Sequence, residues 1–276
     1  MNNSKKIIVI GGSAAGPKAA ARARRLDENA EITIIQKGKY LSMASCGYPY
    51  YVGGFFNDRN QLISTPTGVI RDQFFFGNVK NIKVHNETEA VEIDRKSKKV
   101  KCVNLKDKTL FELYYDKLII ATGAIPRIPN LNGNDLSGIT SFQSMDDVDY
   151  LRKIRDDKKI KKAAVIGGGL IGIETCEALQ LAGIDITIIE QESQILSFLD
   201  PELSKIMENH IKSKGANVIT NNAVAEFLGE NGKLTAIKLK NGTELPCELA
   251  VIAVGVIPNT KLAESAELKF GKSRGI

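Results

Sequence analysis

The chain has no tryptophan, two histidines and four cysteines in 276 residues, and each scarcity closes a class of function. Cys46, Cys102, Cys176 and Cys247 stand far apart with no CxxC or CxxxxC pair. That excludes a zinc ribbon, a disulfide framework and a local dithiol centre, so any thiol chemistry uses one cysteine at a time. His85 and His210 fall in unrelated segments; they offer neither a metal cluster nor a catalytic dyad, and both read as surface residues. Long apolar runs are also missing. Residues 7–10 and 249–254 have strand length and run into glycine, far short of the ~20 residues of a membrane span. The polar start followed by so short an apolar run does not make a signal peptide, and the expected location is the cytoplasm. Aromatics amount to 6% and no tract interleaves them with basic residues, so the surplus of six positive charges suits small phosphorylated molecules rather than nucleic acid.

What is present is an ordinary globular composition, 43% hydrophobic and 25% charged, with a length of about two domains at ~150 residues each. The chain states one pattern twice. Ile7-Ile8-Val9-Ile10 reads as a buried strand, stops in Gly11-Gly12-Ser13-Ala14-Ala15-Gly16, and opens an alanine-rich helix through Leu26; a second strand, 31–35, ends at Gln36. Ala163-Ala164-Val165-Ile166 repeats this 156 residues later. It leads into Gly167-Gly168-Gly169-Leu170-Ile171-Gly172, a helix through Leu181, and a strand, 185–189, ending at Glu190. Each copy continues through an alternating, turn-rich stretch, 88–115 and 223–247, that reads as an antiparallel meander. Asn231-Gly232 and Asn241-Gly242 supply hairpin turns in the second. Each then returns into an apolar strand closing on Gly123 or Gly255. The first copy is 24 residues longer, mostly in 39–76, and that insert holds Cys46. The polar stretch 133–149 reads as the link between copies, with a helix over 148–159 leading into the second.

A G-x-G-x-x-G turn between strand and helix lets backbone amides at the helix N-terminus approach a pyrophosphate. Gly167, Gly169 and Gly172 fit it, and Glu190, eighteen residues on, is placed to accept from the adenosine ribose hydroxyls. Glu190 is followed by Gln191 and Glu192 and no arginine, which favours NADH over NADPH. In the first copy Ser13 replaces the middle glycine and Gln36 the acid. A dinucleotide is still expected there, with weaker anchoring of its adenosine.

Two such lobes in tandem, the Ala121-Thr122-Gly123 strand end and the Gly255-Val256-Ile257-Pro258-Asn259 segment together resemble the pyridine-nucleotide disulfide oxidoreductases. Ser42-Met43-Ala44-Ser45-Cys46-Gly47-Tyr48-Pro49-Tyr50-Tyr51-Val52-Gly53-Gly54 resembles their single-cysteine branch: coenzyme A disulfide reductases, persulfide or polysulfide reductases and related NADH oxidases. Position 51 is tyrosine where the two-cysteine branch needs its second thiol. The resemblance implies an α/β fold of two tandem Rossmann-like lobes, each with a small meander. It places a FAD lobe at 1–145, an NADH lobe at 146–262, and at 263–276 a truncated return toward the first. It implies FAD against Gly11, Gly12, Ser13, Ala15, Gly16, Gln36, Lys37, Thr122 and Gly123. NADH would lie against Gly167, Gly169, Leu170, Ile171, Gly172, Glu174, Glu190 and Gly255.

The implied chemistry passes electrons from NADH through flavin to Cys46 and on to a coenzyme A-type disulfide or persulfide, with no metal. A Cys46 sulfenate oxidase or peroxidase, and a non-catalytic nucleotide-binding or redox-sensing module, stay open beside it. A reactive Cys46 needs a depressed pKa, which a short helix opening before Pro49 would supply. Cys102, Cys176 and Cys247 read as packing residues. Lys18, Arg22 and Arg25 share a helix face opposite Ala19, Ala23 and Leu26; that face is either solvated surface or, with Ser42 and Ser45, a contact for coenzyme A. Leu170 stands where many relatives have a gating tyrosine and equally suits packing, while Glu174 matches a glutamate that orients the nicotinamide amide. Relatives of this kind continue past position 276 to a Gly-Asp flavin element and a dimerisation domain, so a homodimer is expected of the full-length form.

Overall fold

The computed structural model describes residues 4–276. It divides into two compact units, residues 4–45, 58–124 and 258–276 in the first and residues 46–57 and 125–257 in the second.

In the first unit a parallel sheet runs in the order Lys83–His85, Glu31–Ile35, Lys6–Ile10, Lys117–Ile120. Its strands are near-continuous in isoleucine and valine because both faces are covered. On one side Val9, Ile32 and Ile34 pack with Ala20, Phe76 and Ile82. On the other, Ile8, Ile10 and Ile35 meet Ile93, Val100 and Cys102 of the meander Thr88–Asp94, Lys99–Asn104, Leu110–Tyr114. Helix Ala15–Leu26 buries Gly16, Pro17 and Ala20. Small residues there let its axis approach the sheet. Leu26, expected on the apolar side, is 70% exposed, because it ends the helix where no partner element reaches it. His85 also departs from expectation. It is half-buried at the end of its strand, its ring 5.3 Å from that of Phe111, and burial, followed by the charge of Lys83, lowers its pKa. His210 is exposed as expected.

The second unit repeats the plan with five parallel strands, Asn217–Ile219, Asp185–Ile189, Lys162–Ile166, Leu249–Ile252, Ile139–Thr140. Its meander is Val224–Glu230, Lys233–Leu239, Glu244–Pro246. At its first turn Asn231 and Gly232 both have positive φ, 50° and 74°, as a type I′ hairpin requires. Helix Met145–Asp157 starts three residues before the expected 148, because Ser144 and Asp147 form a reciprocal capping box.

The chain leaves the first unit at 124 and re-enters it at 258, whereas the sequence reading draws its lobes at 145 and 262. The polar link belongs to the second unit because it pairs there: Asn132 bridges to Glu226, Ser137 to Lys233, and Ile139–Thr140 forms the sheet's edge against Ala250 and Val251. Polarity predicted a linker, but a parallel edge strand needs little apolar surface of its own. Of the insert, residues 46–57 pack in the second unit.

Candidate functional site

The two glycine turns are superimposable in their hydrogen bonding. Gly11 N–H donates to Ile35 O and Gly167 N–H to Ile189 O, both 2.8 Å, so each turn is tied to the end of the neighbouring strand. Ser42 N–H donates to Gly12 O and Leu196 N–H to Gly168 O, again both 2.8 Å. Ser42 and Leu196 are themselves left-handed, φ 52° and 48°, uncommon for residues with a side chain. Each follows Gln36 or Glu190 by six positions, a spacing that aligning the two copies would have exposed.

Within each turn the glycines divide their labour. A Cβ on Gly11 would strike Ala121 O and one on Gly167 would strike Ala253 O; both residues have positive φ. A Cβ on Gly16 or Gly172 would strike the carbonyl oxygen of Gly11 or Gly167. These four serve the strand-to-helix packing. Gly169 is different: a Cβ there meets no protein atom within 4 Å, which leaves that space to a ligand. Its counterpart Ser13 is exposed. Neither helix Ala15–Leu26 nor helix Leu170–Gln180 has a side-chain cap, so no side chain occupies the amides of its first turn, as phosphate binding requires.

Gln36 and Glu190 close the turns with different chemistry. The Gly12 N–H donates to Gln36 Oε1 at 2.8 Å while Gln36 Nε2 donates to Tyr40 O at 3.2 Å. Glu190 receives two donors, Gly168 N–H on Oε2 at 2.6 Å and Glu192 N–H on Oε1 at 2.9 Å. An amide suits a donor and an acceptor; a carboxylate suits two donors. The second turn opens on a cavity of about 470 Å³ that includes Gly167, Gly169, Glu190 and Gly255 and extends to Arg127, Phe198, Asn222 and Lys240. Sequence reasoning missed this last group, since lone residues on loops carry no periodic signal.

The remaining expected residues fall as follows. Lys37 is an exposed partner of Glu89 at 2.8 Å. Thr122 Oγ1 donates to Asn259 O at 2.7 Å, and Gly123 O accepts from Asn259 N–H at 2.9 Å. Leu170 and Ile171 are exposed, 61% and 38%, on the first turn of their helix. Glu174 is exposed and does not line the cavity; it shares a shallow depression with Pro49, Tyr50, Phe55, Glu177 and Leu181. Lys18, Arg22 and Arg25 are all exposed, Ser45 is exposed and Ser42 half-buried.

Cys46 is exposed within a turn of 3₁₀ helix, Ser45–Gly47, that feeds helix Tyr48–Gly53. The other three thiols are buried, and burial pushes their pKa up, Cys102 to about 11 and Cys176 and Cys247 to about 12. They are packing residues. Among the described residues no group of three or more His, Cys, Asp or Glu could hold a metal ion, and no helix is long and apolar enough to cross a membrane.

The family model for pyridine nucleotide-disulphide oxidoreductases matches residues 5–276. The chain belongs to that family. Members of the family are enzymes that use FAD and a nicotinamide dinucleotide. The chain is 33% identical over 269 residues to an NADH oxidase of Methanocaldococcus jannaschii, which covers 97% of the chain and 58% of that protein. It is 30% identical over 264 residues to a coenzyme A disulfide reductase of Staphylococcus haemolyticus, covering 96% and 57%. Among solved structures, the NAD-dependent persulfide reductase from A. fulgidus matches with a TM-score of 0.94 and 40% identity, over 98% of this chain and 50% of that one. The chain thus spans little more than half the length of the curated relatives it matches.

Proposed function

We propose that the first glycine turn holds FAD, the second holds NADH, and Cys46 delivers electrons to a disulfide or persulfide of coenzyme A type. The observation that carries this reading is that one thiol of four is exposed, on a short helix in a chain with two uncapped nucleotide turns. FAD, when bound, supplies the step between a two-electron hydride donor and sulfur. The chain's residues do the rest. The first-turn amides of helices Ala15–Leu26 and Leu170–Gln180 receive pyrophosphates, Glu190 accepts from the adenosine ribose with lone pairs not used by Gly168 and Glu192, and Gln36 does so more weakly. Leu170, Ile171 and Glu174, exposed along one helix, are assigned to the nicotinamide end. The Cys46 thiolate attacks one sulfur of the acceptor and the other sulfur departs as thiolate, leaving a mixed disulfide on Cys46; two electrons then cleave that S–S bond, releasing the second thiolate and restoring Cys46. Lys18, Arg22 and Arg25, with Ser42 and Ser45, form the face offered to the acceptor's phosphates. The enzyme is expected to act as a homodimer.

The test is spectroscopic. The chain supplied with FAD should be yellow, bleach with NADH under anaerobic conditions, and regain colour on addition of coenzyme A disulfide. Cys46→Ser should leave the bleaching intact and slow the recovery at least a hundredfold; equal recovery in the variant would overturn the cysteine's role. The likeness to an NADH oxidase favours a second reading, in which oxygen or peroxide is the acceptor and Cys46 cycles through a sulfenate. Faster recovery with oxygen than with the disulfide would select it.

A further inference from the structure

The cysteine helix is too short to hold itself. Six residues, Tyr48–Gly53, make little more than one turn beyond the costly nucleus, so something else must fix it. Burial of Tyr48, Tyr51 and Val52 does part of this, and the polar contacts at its C-terminal end converge on one arginine. Arg152, on helix Met145–Asp157, donates from Nη1 to Tyr51 O at 2.8 Å and to Phe56 O at 3.1 Å, and from Nη2 to Asn57 Oδ1 at 2.7 Å. Its guanidinium lies 4.9 Å from the centre of the Tyr51 ring, and its side chain is only 12% exposed. A cation here also meets the negative end of the short helix's dipole.

Asp156 holds the arginine in turn, accepting from Arg152 Nε at 2.9 Å and from Arg155 Nη1 at 3.0 Å. The paired glycines of the motif answer to two different neighbours. Gly54 caps the helix at φ 85°, and a Cβ on it would run into the Arg155 guanidinium. Gly53 faces Leu181, 3.2 Å from where its Cβ would lie. Two arginines one turn apart therefore form a socket for the C-terminal end of a helix whose other end, one residue past Gly47, carries Cys46.

We propose that Arg152 is a positioning residue for Cys46: it acts through the Tyr48–Gly53 helix to fix where the thiol stands, with Asp156 and Arg155 completing the socket. The proposal rests on Cys46 being the reactive thiol. Lysine cannot replace the arginine, because one ammonium does not span two carbonyls, an amide oxygen and a ring face.

The test uses the full chain and four variants: Arg152→Ala, Arg152→Lys, Gly54→Ala and the Arg152→Ala/Gly54→Ala double. Hydrogen exchange of amides 50–55 should speed up at least tenfold in each single variant, while exchange over 162–166 stays as in the parent. Alkylation of Cys46 by a neutral maleimide should quicken at least threefold in the same variants, and the double should match the stronger single because both break one socket. Unchanged exchange and alkylation in Arg152→Ala would overturn the proposal. So would faster exchange with unchanged alkylation, since Arg152 would then be structural only, and so would full recovery in Arg152→Lys. If Arg152→Ala does not fold, the same readings on Arg152→Lys and Gly54→Ala decide the matter. A Cys46→Ser variant with undiminished disulfide turnover would overturn the function above and leave these readings standing.

Discussion

The first and second glycine turns are built alike in backbone and unlike in side chain, and the difference separates what folding needs from what binding needs. The strand-to-turn bonds agree to 0.1 Å, and even the left-handed residue six positions after the closing side chain recurs. Where they part is at Ser13 against Gly169 and at Gln36 against Glu190. Both positions face the ligand space or the turn's closure rather than the sheet. The glycines that make the motif recognisable are mostly there for packing, and the residue that marks a ligand is the one nothing in the protein crowds.

The comparison can be broken at its strongest point first. Gly11→Ala and Gly167→Ala each force a Cβ into a backbone carbonyl at a positive φ, and each should cost about 3 kcal/mol or more of stability, read by urea unfolding. Tolerance of one but not the other would show that the turns are not equivalent. Exchanging the closing side chains comes next. Glu190→Gln leaves one of two backbone donors facing an amide N–H and should weaken NADH about tenfold, or about 1.4 kcal/mol, in a fluorescence titration. Gln36→Glu sets a carboxylate against Tyr40 O and should lower stability by about 1–2 kcal/mol.

A finer test separates binding from folding at a single atom. Gly169, at φ −78°, accepts alanine without strain, so Gly169→Ala should raise stability by up to about 1 kcal/mol while weakening NADH. Loss of stability in that variant would place the residue with the packing glycines.

The smallest expected effect distinguishes the units by pH. His85 in the first unit has a lowered pKa, so as pH falls the unfolded chain takes up a proton near pH 6.5 before the folded one does. Its contribution is present above that pH and is lost as pH falls from there through the folded-state value. His85→Phe should flatten the acid limb of a stability-versus-pH curve measured by chemical unfolding; an unaltered limb would assign the loss to carboxylates instead.

Much of this was visible in the residues alone. Apolar strands of four or five residues followed by glycine, a repeat at fixed offset and an asparagine-glycine turn are local signals, and each maps onto the element it predicted. What escaped was non-local. Nothing near Ile139 and Thr140 announces that they extend a sheet whose other strands lie far along the chain. Nothing in the insert announces that its cysteine segment sits on a helix about a hundred positions away. His85 and Leu26 were misjudged for the same reason, since burial depends on which partner arrives. Glu174 has helical spacing and charge appropriate to several roles, and only the folded chain shows that it shares a depression with Tyr50 and Phe55.

The arginine socket has a consequence for how the protein is made. Tyr51 precedes Arg152 by 101 positions, so during synthesis at ~5–20 residues per second the cysteine segment waits roughly 5–20 s before its seat leaves the ribosome. For that interval Tyr48, Tyr51 and Val52, all buried in the finished fold, have no home, and Cys46, the exposed thiol, stands beside them. Nascent chains should therefore be most vulnerable to oxidation and clumping before helix Met145–Asp157 emerges.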